Sequence, residues 1–273
     1  MHDPAPAFRA LHKRGAPFIL ANAWDVGSAR VLAAMGAQAI GTSSAAHAFT
    51  LGRPDMGGVS RDEALAHAQD LVAATPLPVS GDFENGFGEA PETCAETVRL
   101  AAEAGLAGLS IEDTALPAET PYAADLAAER IRAAACAARA LPRDFVLVAR
   151  ADGVMNGQYD IHEALRRIKA FEAAGADCVY VPLPASLADL QRVIEATALP
   201  VNVLAAGRYA DISRAQFAKM GAARISIGGG LARLTHRAVI DAGRAMMEHG
   251  DFSALKGGAS EAEVNALMAK GSA

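Results

Sequence analysis

The sequence predicts one (β/α)8 barrel followed by an extra C-terminal helix, and three observations predict it. The chain has 273 residues, close to the roughly 250 residues that such a barrel usually needs. Short aliphatic runs alternate with Ala-rich segments of helical length, which is typical of βα units around a parallel sheet. Four of these runs follow a glycine, the residue that most readily ends a helix. We expect residues 1–273 to form a single barrel domain, with residues 251–273 as a helical tail.

The elements follow one another in a regular order. The predicted strands are Pro17–Ala21, Ala39–Thr42, Pro78–Glu84, Gly108–Glu112, Phe145–Asp152, Cys178–Pro182, Pro200–Ala205 and Arg224–Gly228. The clearest helical segments between them are Pro91–Glu103, Asp125–Ala140, Ile161–Ala174 and Ser213–Lys219. Ser260–Lys270 predicts one more helix, which could pack on a partner subunit. A doubly wound open sheet is the alternative, but the first strand is followed by Asn22–Asp25, not by the glycine-rich turn of that fold.

Composition excludes several classes of protein. Hydrophobic residues make up 52% of the chain and the formal net charge is −6, so neither disorder nor a nucleic-acid-binding surface is expected. Three cysteines, Cys94, Cys136 and Cys178, are too few and too scattered for a disulfide scaffold or a cysteine-based zinc site. No secretory signal and no apolar run long enough to cross a bilayer is visible, and we therefore predict a cytoplasmic protein without a membrane partner.

Acidic residues follow the third and fourth predicted strands. Alternate side chains of a strand share a face, so Asp82 and Glu84 can converge with Glu112 at the carboxyl end of the barrel, where such folds carry their active sites. Three carboxylates repel one another, and a hard divalent cation relieves that repulsion, which favours Mg²⁺, with Mn²⁺ possible. Arg150 could neutralise the same carboxylates. The alternative is that Glu84 and the neighbouring Asp113 only cap the helices that follow.

The lysines argue against one type of chemistry. A Schiff-base aldolase needs a desolvated lysine in its site. None of the five lysines falls at a predicted strand end. They are Lys13, Lys169, Lys219, Lys256 and Lys270. We therefore do not expect a lysine-dependent aldolase.

Together the motifs resemble the isocitrate lyase/phosphoenolpyruvate mutase superfamily. The motifs that carry the resemblance are Gly81–Gly88, Ile111–Asp113, Ala149–Asp152, Asn22–Asp25 with Ser28–Ala29, and Gly41–Ala45. The resemblance covers most of the chain, in the same order and spacing. It implies a Mg²⁺-dependent barrel, usually a tetramer, in which the last helix is exchanged between subunits. It also implies C–C or P–C bond chemistry on a 2-oxo or 2-hydroxy acid through a pyruvate enolate.

The resemblance also implies roles for individual residues. Asp82 would bind the metal directly, Glu84 and Glu112 would hold metal-bound waters, and Asp55 would anchor that water network. The implied substrate-binding residues are Trp24, Ser43, Ser44, Ala45, Asp82, Arg150 and Asn202, and the implied catalytic residues are Arg150, Asp55 and Glu112. Metal and arginine would stabilise the negative charge that develops during the reaction.

One departure from the family pattern narrows the activity. The isocitrate and methylisocitrate lyases carry a cysteine-containing loop after the fourth strand, whereas Thr114–Tyr122 has no Cys, Lys, Arg or His. Decarboxylation of a small 2-oxo dicarboxylate, oxaloacetate above all, needs neither that thiol nor a loop cation and is the favoured prediction. Phosphoenolpyruvate mutase or phosphonopyruvate hydrolase chemistry with Arg53 as the cation, isocitrate lyase-like cleavage, and a non-catalytic 2-oxo acid binder remain open. Proton-donor candidates are Glu119, Tyr122 and His47, each also explicable as a surface or packing residue, and Thr114–Tyr122 could form a lid.

Overall fold

The computed structural model describes residues 3–272 and shows a closed barrel of eight parallel strands. In chain order the strands are β1 (Phe18–Asn22), β2 (Ala39–Gly41), β3 (Val79–Asp82), β4 (Gly108–Glu112), β5 (Val146–Arg150), β6 (Cys178–Tyr180), β7 (Val201–Leu204) and β8 (Arg224–Ser226). Each strand pairs with its neighbours in sequence, and β1 closes the barrel on β8 with Phe18 opposite Arg224. The (β/α)8, or TIM, barrel prediction is confirmed, and all eight predicted strands are present.

Helices connect the strands on the outside of the barrel. They are α1 (Ala5–Leu11), α2 (Val26–Ala34), α3 (Ser44–Thr50), α4 (Arg61–Ala74), α5 (Pro91–Glu103), α6 (Ala124–Ala140), α7 (Ile161–Ala174), α8 (Leu187–Glu195), α9 (Arg214–Met220), α10 (Gly230–His249) and α11 (Glu261–Gly271). The four glycines that predicted helix ends all have a left-handed backbone, with φ of 95° at Gly36, 91° at Gly105, 98° at Gly175 and 95° at Gly221. A side chain would strain the backbone there, which is why glycine ends these helices.

Two buried clusters build the core. The larger lies between the strands and the surrounding helices and is rich in alanine, so helices of small residues pack closely on the sheet. The smaller fills the interior of the barrel. In it Phe8 of α1 meets Phe18 of β1 edge to face at 5.9 Å and closes the amino-terminal end. The carboxyl end stays open, and this is the end at which the polar residues collect.

The two C-terminal helices, α10 and α11, differ in how closely they pack against the barrel. The predicted helix at 260–270 is present as α11, but in this chain it packs against α2 of its own barrel, and Gly271 lies so close to Arg30 that a Cβ would overlap the Arg30 carbonyl oxygen. By contrast α10 is largely exposed and leaves Leu234, Val239 and Met247 uncovered. Within residues 3–272, no helix is long and apolar enough to cross a membrane.

Candidate active site

A pocket of about 140 Å³ opens at the carboxyl ends of the barrel strands. Six of the residues predicted from the sequence contribute to its wall. They are Ser43, Ser44, Ala45, Asp55, Asp82 and Arg150. These residues come from the loops after β2 and from the ends of β3 and β5, which are far apart in sequence and adjacent only because the barrel closes.

Arg150, the last residue of β5, is the electrostatic centre of the pocket mouth. Its Nη1 lies 2.6 Å from Asp82 Oδ1, and its Nη2 lies 2.6 Å from Asp152 Oδ2 and 3.1 Å from Glu112 Oε2. A second hydrogen bond, from Nε to Asp152 Oδ1 at 3.1 Å, makes the pair with Asp152 bidentate. These neighbouring carboxylates outweigh burial and raise the pKa of Arg150 well above its ordinary value. Arg150 is therefore a permanently charged group whose charge is already neutralised.

Asp82 is held in place from two sides. The backbone N–H and the hydroxyl of Ser44 both donate to Asp82 Oδ2, each at 3.1 Å. The backbone N–H of Asp82 donates to Thr42 Oγ1 at 2.7 Å. Ser43 caps α3 through a hydrogen bond from the Ala46 N–H. The family resemblance implies that the Ser44 N–H binds the substrate carboxylate. In this structure the Ser44 N–H donates instead to Asp82.

Glu84 and Glu112 lie beside this pocket and not in its wall. Glu84 Oε1 accepts a hydrogen bond from the Gly57 N–H at 3.1 Å and borders a neighbouring cavity. Burial, with Asp82 and Asp55 nearby, raises the pKa of Glu84 to about 7. Glu112 is buried, and burial together with Asp152 raises its pKa well above the ordinary value. Burial also raises the pKa of Asp55. Burial is the main cause of these shifts and the neighbouring carboxylates a smaller one, so without a cation the protonated forms of these carboxyl groups are favoured.

This donor set fits a hard divalent cation. All its donors are carboxylate oxygens, the ligands that Mg²⁺ and Mn²⁺ prefer, and a bound cation would favour their ionised forms despite burial. Over the described residues 3–272, no three His, Cys, Asp or Glu side chains form a ready-made metal shell. An arrangement with one direct carboxylate ligand and the others acting through water needs no such shell, because Mg²⁺ usually keeps several waters.

Asp113 does not cap a helix. It is buried, its Oδ1 accepts from the Asp152 N–H at 2.9 Å, and its Oδ2 accepts from the Tyr159 hydroxyl at 2.7 Å and from Arg167 Nη1 at 2.9 Å. The helix that follows, α6, begins at Ala124 without a side-chain cap. Asp113 thus holds the loop after β5, including Asp152, against the end of β4. Glu84 is not a cap either, because α5 begins at Pro91 after Ala90.

The floor of the pocket contains a second arginine that the sequence analysis did not single out. Arg224, the first residue of β8, is buried and donates from Nε to Asn202 Oδ1 at 3.0 Å. Asn202 Nδ2 donates in turn to Ser226 Oγ at 2.9 Å. The structure therefore places Asn202 behind the pocket wall, where it orients Arg224 and Ser226. The signal that could have found Arg224 is a lone charged residue at the start of the predicted strand Arg224–Gly228.

Other predicted residues lie away from this pocket. Trp24 borders a separate cavity on the outer side of α3 and α4, and its carbonyl oxygen lies 2.9 Å from His67 Nε2. His47 stacks on His67 with ring centroids 3.9 Å apart. Glu119 is exposed, and Tyr122 is buried beneath the Arg130 guanidinium at 4.2 Å. None of the three proton-donor candidates contributes to the pocket wall.

The segment after β4 forms a small hairpin in which Thr114–Ala115 pairs with Thr120–Pro121. The hairpin is held at its base, because the Tyr122 N–H donates to the Asp113 carbonyl oxygen at 2.8 Å. Arg53, considered above as a cation for phosphoryl chemistry, lies 2.9 Å from Glu63 and does not border the pocket.

Comparison with known proteins places the chain in a family. Residues 8–247 match the family model described as phosphoenolpyruvate phosphomutase. The chain belongs to this family. It is similar to 2-methylisocitrate lyase of Salmonella typhimurium, with 31% identity over 74% of this chain and 70% of the relative. It is also similar to oxaloacetate decarboxylase of Chromohalobacter salexigens, with 30% identity over 84% of this chain and 79% of the relative.

Among solved structures, a candidate lyase or mutase of Burkholderia cenocepacia superposes with a TM-score of 0.93 and 44% identity, covering 97% of this chain and 95% of that one. The superfamily resemblance inferred from the strand-end motifs is thus confirmed. These relatives support an enzyme of the lyase and mutase type, and the reaction of this particular chain is a separate question.

Proposed function

We propose that the protein is a Mg²⁺-dependent lyase for a small 2-oxo acid with two carboxylates, and that oxaloacetate decarboxylation is its reaction. One observation carries the proposal. Four carboxyl groups, those of Asp55, Asp82, Glu84 and Glu112, gather near one arginine at the pocket mouth, and so many oxygen donors suit a divalent cation. The pocket of about 140 Å³ suits a small acid. The similarity to the C. salexigens oxaloacetate decarboxylase supports the choice of substrate.

Asp82, held by both donors of Ser44, would be the direct metal ligand, and Glu84 and Glu112 would hold water molecules around the ion. When bound, Mg²⁺ supplies a positive centre that stabilises the negative charge developing on the 2-oxo oxygen. Mn²⁺ could replace it.

The remaining roles fall to the pocket wall. Arg150, fixed by three carboxylates, would keep its guanidinium N–H groups in one orientation beside that developing charge, which preorganises the site. Asp55 would orient the water network, and Ser43 and Ala45 would contact the substrate. Asn202 would act from behind the wall, through Arg224, whereas Trp24 borders a separate cavity and is not given a role in this pocket.

Two competing reactions fit less well. A thiol-dependent cleavage needs a cysteine at the substrate, whereas Cys94 and Cys178 are buried elsewhere and Cys136 is exposed on α6. Phosphoryl chemistry would need a cation near the phosphoryl group, and the candidate, Arg53, forms an ion pair with Glu63 outside the pocket. A non-catalytic 2-oxo acid binder would keep the carboxylates and bind ligand without turnover.

The test is Mg²⁺-dependent release of pyruvate from oxaloacetate. We expect purified protein to exceed the background that Mg²⁺ alone produces, and Asp82→Ala to return the rate to that background. Glu103→Gln, an exposed acidic position on α5, is the control variant and should keep full activity. Release of pyruvate at the metal-only rate would disprove the proposed reaction. A ³¹P spectrum of a phosphonopyruvate incubation would then decide on P–C chemistry.

We also propose that the protein is a homo-oligomer, a dimer of dimers. The resemblance implies exchange of the last helix, α11, but α11 packs on α2 of its own chain, and we propose instead that α10 is exchanged between subunits. Leu234, Val239 and Met247 of α10 are exposed in the single chain. On the outer face of the barrel, Ile19 of β1 and Met35 after α2 border an uncovered apolar groove. A helix from a second copy would cover this groove and bury its own apolar side chains. The single-domain organisation, with residues 251–273 as a tail, is part of the same proposal.

A further inference from the structure

Arg224 is a buried arginine without an acidic partner, and unlike Arg130, which donates to three backbone carbonyl oxygens, it also has an unpartnered guanidinium nitrogen. Only 5% of Arg224 is exposed, yet it takes part in none of the ion pairs formed within residues 3–272. Its Nε donates to an amide oxygen of Asn202, and its Nη1 has no hydrogen-bond partner. Arg167, equally buried, pairs with both Asp113 and Glu163. The guanidinium of Arg224 is thus a buried charge without a counter-ion.

Such a charge is unfavourable by itself. Burial lowers the pKa of Arg224, but a guanidinium stays protonated under all ordinary conditions, so the residue cannot escape the cost by losing its proton. Buried charges in folded proteins are normally paired. An anion supplied by a ligand would provide the missing pairing, and Arg224 contributes to the wall of the pocket in which a ligand would lie.

A second unpartnered donor borders the same pocket. Ser80 of β3 is buried, and its hydroxyl has no hydrogen-bond partner. It lies two residues before Asp82 and therefore on the same face of the strand, one layer deeper in the barrel. Ser80 and Arg224 both line the same small pocket of about 140 Å³. Arg224 lacks a counter-ion and the Ser80 hydroxyl lacks an acceptor, and one anionic group could satisfy both.

We infer that Arg224 and Ser80 form an anion subsite at the floor of the pocket, and that it takes the carboxylate that the substrate retains. The inference of a retained carboxylate rests on the proposed decarboxylation. In that reaction the bond between the leaving carboxyl carbon and its neighbour breaks, its electron pair forms the enolate, carbon dioxide departs, and a proton from water restores the ketone.

The electrostatics of that step fix the orientation. A guanidinium binds a carboxylate strongly and neutral carbon dioxide weakly, so a cation on the leaving group would stabilise the ground state more than the transition state. The floor is also closed, since Arg224 and Ser80 are both buried. The retained carboxylate therefore lies at the floor, and the leaving carboxylate faces the mouth, from which carbon dioxide can escape.

Binding of lactate and lactamide tests the subsite without any turnover. The two probes differ only in that the carboxylate of lactate is a neutral amide in lactamide. With saturating Mg²⁺, we expect calorimetry to show that the protein prefers lactate. Arg224→Met should reduce that preference about 10- to 100-fold, the usual effect of losing a hydrogen bond to a charged group. Arg224→Lys should keep part of the preference, and Ser80→Ala should reduce it by a smaller factor.

Arg192→Met, on the outer face of α8, makes the same chemical change away from the pocket and should leave the preference unchanged. Malate is lactate with a second carboxylate, which in the proposed orientation faces the mouth and not Arg224. The ratio of malate affinity to lactate affinity should therefore be the same in Arg224→Met as in the unmodified protein. If the protein does not prefer lactate over lactamide, or if Arg224→Met keeps that preference, the proposed anion subsite is wrong. Water is then the partner of Arg224. A selective loss of malate binding in Arg224→Met would overturn the orientation. If the protein releases no pyruvate from oxaloacetate, the proposed decarboxylation is wrong, but the anion subsite is still tested by the binding measurements.

Discussion

The mouth and the floor of the pocket each contain an arginine, in opposite electrostatic settings. At the mouth, Arg150 lies within 3.1 Å of three carboxylates. At the floor, Arg224 has an amide partner and no carboxylate. The mouth therefore has an excess of negative charge that suits a cation, and the floor has a positive charge that suits an anion. The charge of this small pocket therefore changes sign between mouth and floor, and such a difference can orient a ligand before any chemistry begins.

Strand register produces this difference. Arg150 is the last residue of β5, directly opposite Glu112 at the end of β4. Arg224 is the first residue of β8, opposite Asn202 and Phe18, and so its backbone starts at a deeper layer of the barrel. Carboxylates occupy the strand ends and the loops above them. At the deeper layer, the hydrogen bond that Arg224 forms goes to the amide oxygen of Asn202.

The largest expected difference between the two arginines is in their contribution to the free energy of unfolding. Arg150→Met leaves Asp82, Glu112 and Asp152 without their shared counter-ion, and removing one partner of a buried ion pair typically costs about 3–5 kcal/mol. Arg224→Met removes a charge that has no partner, so the free energy of unfolding should stay unchanged or rise. Urea unfolding of both variants at pH 7 measures the contrast. Equal destabilisation by the two substitutions would show that Arg224 has a counter-ion after all.

The next effect concerns metal affinity. Asp82→Ala removes the carboxylate that Ser44 and Arg150 fix at the mouth, and we expect Mg²⁺ affinity to fall by at least about 100-fold, beyond the usual effect of losing an outer-shell partner. Ser80→Ala, two residues earlier on the same strand, should leave Mg²⁺ affinity unchanged because Ser80 belongs to the floor. Calorimetric titration with Mg²⁺ compares the two. If Ser80→Ala weakened Mg²⁺ as much as Asp82→Ala, mouth and floor would not be separate sites.

The smallest effect is a pH dependence at the mouth. The pKa of Glu84 is raised from 4.5 to about 7, chiefly by burial. Between these values the folded protein keeps a proton that the unfolded chain has lost, so stability falls as the pH rises through this window. In metal-free protein, Glu84→Gln should make that decline shallower. Chemical denaturation between pH 4.5 and 7.5 measures it.

Glu103→Gln, at an exposed position, is the matched control and should leave the decline unchanged. Full retention of the slope in Glu84→Gln would mean that this carboxyl does not hold its proton in the folded state. Saturating Mg²⁺ should also flatten the slope of the unmodified protein, because the cation favours the ionised carboxylates.

The strand ends could be predicted from the sequence because a parallel barrel brings all its carboxyl ends to one face. Asp82 and Arg150 were found in this way, and the structure places them 2.6 Å apart. Asn202 and Trp24 were also found at strand ends, but the structure turns the first behind the wall and the second toward another cavity. Position at a strand end fixes the neighbourhood of a side chain. Its direction depends on the neighbours with which it forms hydrogen bonds.

The barrel, its eight strands, the glycines that end its helices and the acidic motifs at its open end could all be read from the chain, because periodicity, helix-ending glycines and strand-end polarity are local properties. Three further features depend on the fold: Arg150 is neutralised whereas Arg224 is not, Asp113 is an anchor and not a cap, and α11 packs on its own barrel. They depend on which side chains, distant in sequence, share a low-dielectric space, and only folding brings those side chains together.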